Sequence, residues 1–248
     1  RRFENVELIE ALSRQKEIAE AARAQAEAAN RSKTQFFAAA NHDLRQPLHA
    51  LGLMAAALSE RSRDPGVTGL VAGIHASVEA LEKLFNELLD MSKLDAGAVK
   101  PELRDFPVSR VLERLRLELA PEAAEKGLRL RAMRTRAWVR SDPVLLERIL
   151  RNLISNAIRY TVRGGVLFGV RRRGGALVLE VWDTGVGIPE AERSRIFEEF
   201  YQLGTHARSS RKGLGLGLAI IQRLCTLLGY RVRVDSRPGR GSVFRFEV

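Results

Sequence analysis

Leu44, Leu48, Leu51, Ala55 and Leu58 recur at spacings of four, three, four and three. At about 100° per residue they fall within about 60° of one another on a helical wheel, which predicts a helix with one buried seam. Ile74, Val78, Leu81, Phe85 and Leu88 repeat the alternation and predict a second helix, running to about Leu94 and closing near Gly97. Arg61 to Gly69, with Asp64-Pro65-Gly66 inside it, reads as the turn between them. Two such helices make an antiparallel hairpin, and because a hairpin alone buries little, two copies pairing into a four-helix bundle is the expectation. Upstream, residues from about Asn5 to Ala40 are free of Gly and Pro and carry a weak heptad seam from Leu8 through Ala19 and Ala29 to Phe36. This predicts a parallel coiled-coil entry helix. Past Phe36 the spacing slips to consecutive fours over Ala40, Leu44 and Leu48, which changes the local winding.

After Lys100-Pro101 the pattern changes character and marks a domain boundary. Leu103 to Phe106 reads as a strand, and Ser109 as the cap of a helix running to Lys126 and stopped by Gly127. Short strands follow at Leu128 to Met133 and Trp138 to Arg140. Ser141-Asp142-Pro143 then opens a helix that carries Glu147 to Tyr160. Val166 to Arg172 and Ala176 to Asp183 form a hairpin around Gly174-Gly175, and a helix from about Leu216 to Leu228 precedes two closing strands, Tyr230 to Ser236 and Ser242 to Val248. Helices interleaved with a mixed sheet mean a two-layer α/β domain. The fold class is therefore multi-domain, α and α+β.

The chain has 248 residues, 45% of them hydrophobic, enough for a sizeable core in one or two domains. No apolar run approaches the roughly 20 residues needed to span a bilayer, and the charged start lacks the apolar region of a signal peptide. A membrane segment is expected only upstream of this chain. The lone Cys225 excludes an internal disulfide framework, and its neighbours Leu218, Ile221 and Leu228 place it on an apolar helix face as a small core residue. A net charge of +11 permits polyanion binding. With scattered arginines, few aromatics and no nucleic-acid module, it reads as solvated helix faces plus affinity for a phosphate ligand.

Against this background four stretches carry chemistry. On the first hairpin helix His42 lies roughly 160° from the Leu44 seam, with Gln46 about 40° from His42, Asp43 on its flank and Pro47 one turn away. A helix-interior proline costs about 3 kcal/mol, and a local rule broken beside an exposed imidazole and a carboxylate points to a functional site. On the later helix Asn152 and Asn156 share a face, with Arg159 and Tyr160 one turn on. Amide oxygens suit Mg²⁺ already held by phosphates, and an arginine can take a phosphate oxygen. Asp183 ends a strand and is followed by Thr184-Gly185-Val186-Gly187-Ile188, so a carboxylate can accept from an exocyclic amine while the glycines let a flat base approach. Gly213-Leu214-Gly215-Leu216-Gly217-Leu218 precedes the last apolar helix, with Lys212 at its entrance, and offers amides and a positive helix end to phosphate. It is neither a Rossmann fingerprint nor a P-loop. Glu198 to Lys212 reads as a mobile lid anchored at its start by Phe197 and Phe200.

In this order the stretches resemble the catalytic core of sensor histidine kinases of two-component systems, over roughly Ser32 to Val248. Asn41 to Leu48 is similar to the family's H box, Asn152 to Thr161 to its N box and Asp183 to Ile188 to its first glycine box. Phe197 to Tyr201 is similar to the F box and Gly213 to Leu218 to the second glycine box. The resemblance implies a coiled-coil signalling helix over 1–32, a dimerisation and histidine-phosphotransfer hairpin over 33–97, and a gyrase-like ATP-binding sandwich over 101–248. It implies that ATP phosphorylates His42 while Asp43 holds and activates it, and that Asn156 carries Mg²⁺ with Asn152 and Arg159 supporting the phosphates. It further implies that Asp183 reads adenine. The implied partners are a second copy, through the hairpin, and a response-regulator receiver domain, with no nucleic acid. The implied location is cytoplasmic, either free or as the cytoplasmic part of a membrane-anchored sensor. Gln46 stands where a threonine or asparagine is more usual, a position the family associates with dephosphorylating its partner, and a glutamine amide can still orient a water. Arg45-Gln46-Pro47 is similar to hybrid kinases that carry a receiver in the same polypeptide. Two other readings stand beside this one: a gyrase-like ATPase or serine kinase, which leaves the exposed histidine unexplained, and a non-catalytic dimeric scaffold, which has no need of Asn156 or Asp183.

Overall fold

The computed structural model describes residues 15–16, 19–21, 25, 44, 47–58, 64–203 and 215–248. Most of the coiled-coil seam, the slip before Leu44, the expected catalytic residues His42, Asp43 and Gln46, and Lys212, Gly213 and Leu214 lie outside the described residues. So does most of the expected lid. The described residues between 15 and 25 are helical and exposed. The chain divides into two compact units, Arg1–Val99 and Lys100–Val248.

In the first unit, residues 47–58 are helical (α1) and α2 spans Pro65–Asp95. The expected turn from Arg61 to Gly69 is shorter than its composition suggests, because helix begins at Pro65. Asp64 caps it, its side chain accepting from the Gly66 amide at 2.7 Å, and a proline at the first helical position gives up only an amide that would be unsatisfied there anyway. The end of α2 is closed by Gly97 and Ala98, whose amides donate to Leu94 and Lys93. The seam of the first helix is only partly buried. Leu48 and Ala55 are covered, whereas Leu44, Leu51 and Leu58 are 38%, 47% and 49% exposed. Ile74 and Leu81 on α2 are exposed too. One hairpin is too thin to cover both edges of its apolar stripes.

In the second unit β1 (Arg104–Pro107) pairs antiparallel with β3 (Trp138–Ser141) as a small ribbon. The main sheet has the order β2-β4-β5-β7-β6. Its members are β2 (Arg129–Ala132), β4 (Gly165–Arg173), β5 (Ala176–Asp183), β6 (Arg233–Arg237) and β7 (Gly241–Glu247). β2 and β4 run parallel and the remaining neighbours antiparallel. Cross-strand partners share a face, so Phe168, Val181 and Phe244 form one row of the core under the helices α3 (Ser109–Glu125), α4 (Pro143–Tyr160) and α5 (Gly217–Leu227). Ser109 is not the cap of α3. Val108 occupies that position, wholly buried, with its amide donated to Ala137 and no side-chain capping bond. Burial and a strand-like hydrogen bond replace the hydroxyl.

The helix that matters for the site is anchored at both ends. Asp142 caps α4 with one carboxylate oxygen on the Val144 and Leu145 amides and receives the Glu102 amide on the other. At the opposite end Lys126, from the close of α3, donates to the Ile158 and Arg159 carbonyls at 2.9 and 3.0 Å, a cation at a helix C-terminus where the backbone is negative. Leu146, Ile149, Leu150, Leu153, Ile154 and Ile158 are at most 1% exposed. With that face locked, the neighbouring asparagine face cannot rotate.

Candidate nucleotide site

Asp183 ends β5 in register with Val166. Its Oδ1 accepts the Gly185 amide at 2.7 Å and the Ser242 amide at 3.2 Å. Burial pushes this carboxyl above the usual aspartate range, and the hydrogen bonds from the Gly185 amide and from the Ser242 amide and hydroxyl pull the other way without cancelling it. Both backbone amides fall on one oxygen of the carboxylate.

The loop after it is held close to the backbone around it. A Cβ on Gly185 would meet the Tyr160 carbonyl oxygen at 2.6 Å. Gly187 has φ +72°, and a side chain there would run into the Arg237 carbonyl, so both the conformation and the space require glycine. Behind this loop the buried Ser236 hydroxyl accepts the Ile188 amide at 2.7 Å, donates to the Gly241 carbonyl at 2.9 Å and lies 2.9 Å from the Ser242 hydroxyl. One side chain on β6 therefore ties the loop to β7.

The facing wall comes from α4 and α5. Asn156, Tyr160, Asp183, Gly187, Ile188 and Leu218 line a single cleft, a concave, mainly apolar wall with a few convergent polar groups, as small-molecule sites have. The first residue of α5, Gly217, sits where a Cβ would be 3.8 Å from the Asn156 amide nitrogen, so Asn156 stands beside that helix's N-terminus. Leu216 at the cap supplies no side-chain acceptor. First-turn amides without a side-chain cap, at the positive end of a helix, form an anion site next to an amide side chain.

The expected site residues divide three ways. Gly185, Gly215 and Gly217 shape the cleft from behind, and a Cβ on Gly215 would meet the Tyr201 carbonyl oxygen at 2.6 Å. Asn152, Arg159 and Phe200 are not among the residues that line it. Phe200 is 58% exposed at φ +61° and anchors nothing; the anchors before the expected lid are Ile196, at 4% exposure, and Phe197, whose ring meets Phe244 edge-on at 6.5 Å. The sequence reading did not assign to the site Ser242 and Phe244, which reach the cleft from β7, nor Ile196 just before the expected lid and Tyr201 at its start. Ser242 and Phe244 had a signal, their period-2 alternation just after Gly241. Tyr201 lies under the Arg195 guanidinium, 4.4 Å from ring centroid to cation. Among the described residues no group of His, Cys, Asp or Glu forms a metal cage, and Asn156 is the expected metal ligand that lines the cleft.

Comparison with known proteins agrees with this geometry. Residues 32–97 match the family model described as His Kinase A (phospho-acceptor) domain, and residues 141–248 match that of histidine kinase-, DNA gyrase B- and HSP90-like ATPases. The sensor histidine kinase RcsC of Escherichia coli K12 is 35% identical over 90% of this chain and 24% of its own length. The circadian input-output histidine kinase CikA of Synechococcus elongatus is 36% identical over 94% of this chain and 32% of its own. The chain therefore spans about a quarter to a third of these relatives. Among solved structures, full-length ShkA in complex with AMPPNP superposes with a TM-score of 0.72 at 30% identity, covering 87% of this chain and 46% of that one. A phospho-acceptor domain followed by an ATPase-type domain, with relatives of this kind along nearly all its length, makes this chain a member of the sensor histidine kinases, carrying their catalytic core.

Proposed function

We propose that the chain catalyses ATP-dependent phosphorylation of its own His42 and then hands the phosphoryl group to an aspartate of a response-regulator receiver domain. The observation that carries this is the convergence of Asp183, Asn156 and the uncapped start of α5 on one cleft. In this reading the Asp183 carboxylate accepts the exocyclic amine of adenine. Gly185 and Gly187 admit the ring against Ile188, and the α5 amides with Gly213, Leu214 and Lys212 receive the phosphates. Asn152, Arg159 and Tyr160 support them from α4.

The Asn156 amide fits Mg²⁺, which binds through phosphates and a few oxygen ligands rather than a carboxylate cage. When bound, the ion neutralises charge on the phosphate oxygens. The histidine chemistry belongs to the first unit. Asp43 accepts a hydrogen bond from one imidazole nitrogen and fixes the tautomer, and the other nitrogen attacks the γ-phosphorus. The N–P bond forms as the bond to the β–γ bridging oxygen breaks and ADP leaves. Asp43 stabilises the positive charge left on the ring. In the second step a receiver carboxylate oxygen attacks the phosphorus and the N–P bond breaks. In the same reading the Gln46 amide orients a water for hydrolysis of the receiver's acyl phosphate.

The domain reading follows: 1–32 as signalling helix, 33–97 as dimerisation and phosphotransfer hairpin, and 101–248 as ATP-binding domain. The exposed Leu44, Leu51, Leu58, Ile74 and Leu81 support a homodimer through that hairpin, since a second copy would cover them. ATP as donor places the reaction in the cytoplasm. Incubation with Mg-ATP labelled at the γ-phosphate tests the reading. The expected result is a covalent label that is labile to acid, stable to base and absent from His42→Ala, while His42→Ala still binds a fluorescent ATP analogue. Labelling of His42→Ala, or an acid-stable label on the unaltered chain, overturns it.

A further inference from the structure

The face of the main sheet turned away from the helices carries a second feature, which borders the nucleotide cleft at Asp183. Cross-strand register puts Glu180 opposite Arg245, which in turn pairs with Arg233, and puts Trp182 opposite Val243, which pairs with Asp235. Arg129 and Arg131 extend the same face on β2, paired with Gly165 and Leu167. A carboxylate on an uncovered sheet face should be solvated, yet Glu180 has no exposed surface. Arginines cover it. Arg173 and Arg245 approach its Oε1 at 2.9 and 3.2 Å, Arg171 approaches Oε2 at 3.6 Å, and the Trp182 indole donates to Oε2 at 3.0 Å.

Burying a charge is unfavourable unless it is paired, and one carboxylate cannot satisfy three guanidinium groups with five donors each. Glu180 therefore gathers the arginines over this face by ion pairing, with donors left over toward solvent. Arg171 and Arg173 remain about half exposed, while Arg245 lies 5.2 Å from the Trp182 ring. Pairing to one buried carboxylate reduces their side-chain freedom, which lowers the entropic cost of a partner binding to them. Around this fixed centre Arg129, Arg131, Arg237 and Arg240 are exposed and have no carboxylate partner among the described residues. Two shallow grooves meet at Trp182, one walled by Arg129, Arg131 and Arg171, the other by Arg193 and Arg237, with Arg240 shared.

We propose that this sheet face is a docking surface for an acidic protein. Arginine and tryptophan are the residues over-represented where protein interfaces concentrate their energy. Charge decides among polyanions. Glu180, Asp235 and Glu247 interrupt the basic field, and a mosaic of signs suits the mixed surface of a protein better than the uniform charge of a nucleic-acid backbone. A bilayer needs a protruding apolar group among the cations, and Trp182 is half-buried between grooves instead.

The test uses the full chain and a short fluorescein-labelled peptide of repeated Asp-Glu-Leu, with duplex DNA and phosphatidylserine vesicles as alternative probes. The double variant Arg129→Glu/Arg131→Glu reverses two unpaired charges on the face. The double variant Arg110→Glu/Arg136→Glu makes the same change in net charge beside the start of α3. None of the four lines the nucleotide cleft. Expected is a loss of peptide affinity of about tenfold or more for the face variant and less than about twofold for the other, from two exposed ion pairs turned repulsive. ATP-analogue binding and circular dichroism stay unchanged in both. The milder Arg129→Gln/Arg131→Gln gives an intermediate loss if either reversal perturbs folding. Equal weakening by both variants, no peptide binding by the unaltered chain, or tighter face-dependent binding of DNA or vesicles than of peptide each overturns the proposal.

Discussion

Ser236→Ala removes one hydroxyl that serves three partners. In the native structure that hydroxyl receives the Ile188 amide, gives its proton to the Gly241 carbonyl and touches the Ser242 hydroxyl. Ser236 and Ile188 are each 7% exposed, so solvent does not readily replace it. Leaving a buried backbone group without its partner costs about 1–3 kcal/mol. Two such groups, partly relieved by a shift of the loop, give about 3 kcal/mol. For a domain of this size, 1 kcal/mol moves the midpoint by about 2–4 °C, so the expected fall in Tm is about 6–12 °C. The same shift displaces Ile188 and Gly187 in the cleft, so ADP affinity falls with stability. Calorimetry in the presence and absence of ADP reads both. Ser236→Thr, which keeps the hydroxyl, should recover most of each. A Tm within about 1 °C of the unaltered chain, with ADP affinity intact, would refute the reasoning that this hydroxyl organises the loop.

Asp183→Asn separates binding from folding. An amide oxygen keeps the Gly185 and Ser242 bonds but removes the acceptor for adenine, so ADP affinity measured by titration calorimetry should drop about tenfold to a hundredfold. Because burial raises the Asp183 pKa, the native state favours the protonated carboxyl. That stabilisation is full below the ordinary aspartate pKa and fades as pH rises through the raised one, so at neutral pH the ionised group is a burden and Asp183→Asn should melt higher. The sign reverses for binding: the unaltered chain should lose ADP affinity on acidification, starting at a higher pH than an ordinary aspartate would allow, and Asp183→Asn should show no such limb. Cys225, 1% exposed with its thiol pushed up to about 12, should resist a thiol reagent in the native state and react fully in denaturant.

Most of the second unit's elements were legible because their signals are local. The Gly174-Gly175 turn set the β4–β5 hairpin, and Asp142-Pro143 set the start of α4, each by conformational preferences that involve only neighbouring residues. Pro65 and Ser109 misled for the same reason. Asp64 turned a turn-like tripeptide into a first helical turn, and the packing of Val108 replaced the hydroxyl cap that the sequence offered. The apolar seam of the first hairpin helix came out only partly buried, because periodicity states which residues seek cover and not whether one hairpin supplies it. Leu48 found cover and Leu51 did not.

The candidate site divides along the same line. Residue type and order were enough to single out Asn156, Asp183 and Leu218, because an amide, a carboxylate and a helix start keep their chemistry wherever the chain puts them. Strand pairing alone could bring the Ser242 amide to Asp183 across 59 residues and set Ser236 behind Ile188. The same register buried Glu180 beneath arginines that read in the sequence as ordinary solvated charge. Periodicity and turn chemistry are properties of a segment. Which amides a carboxylate oxygen receives, and which arginines share one, depends on distances between segments that become defined only when the sheet closes.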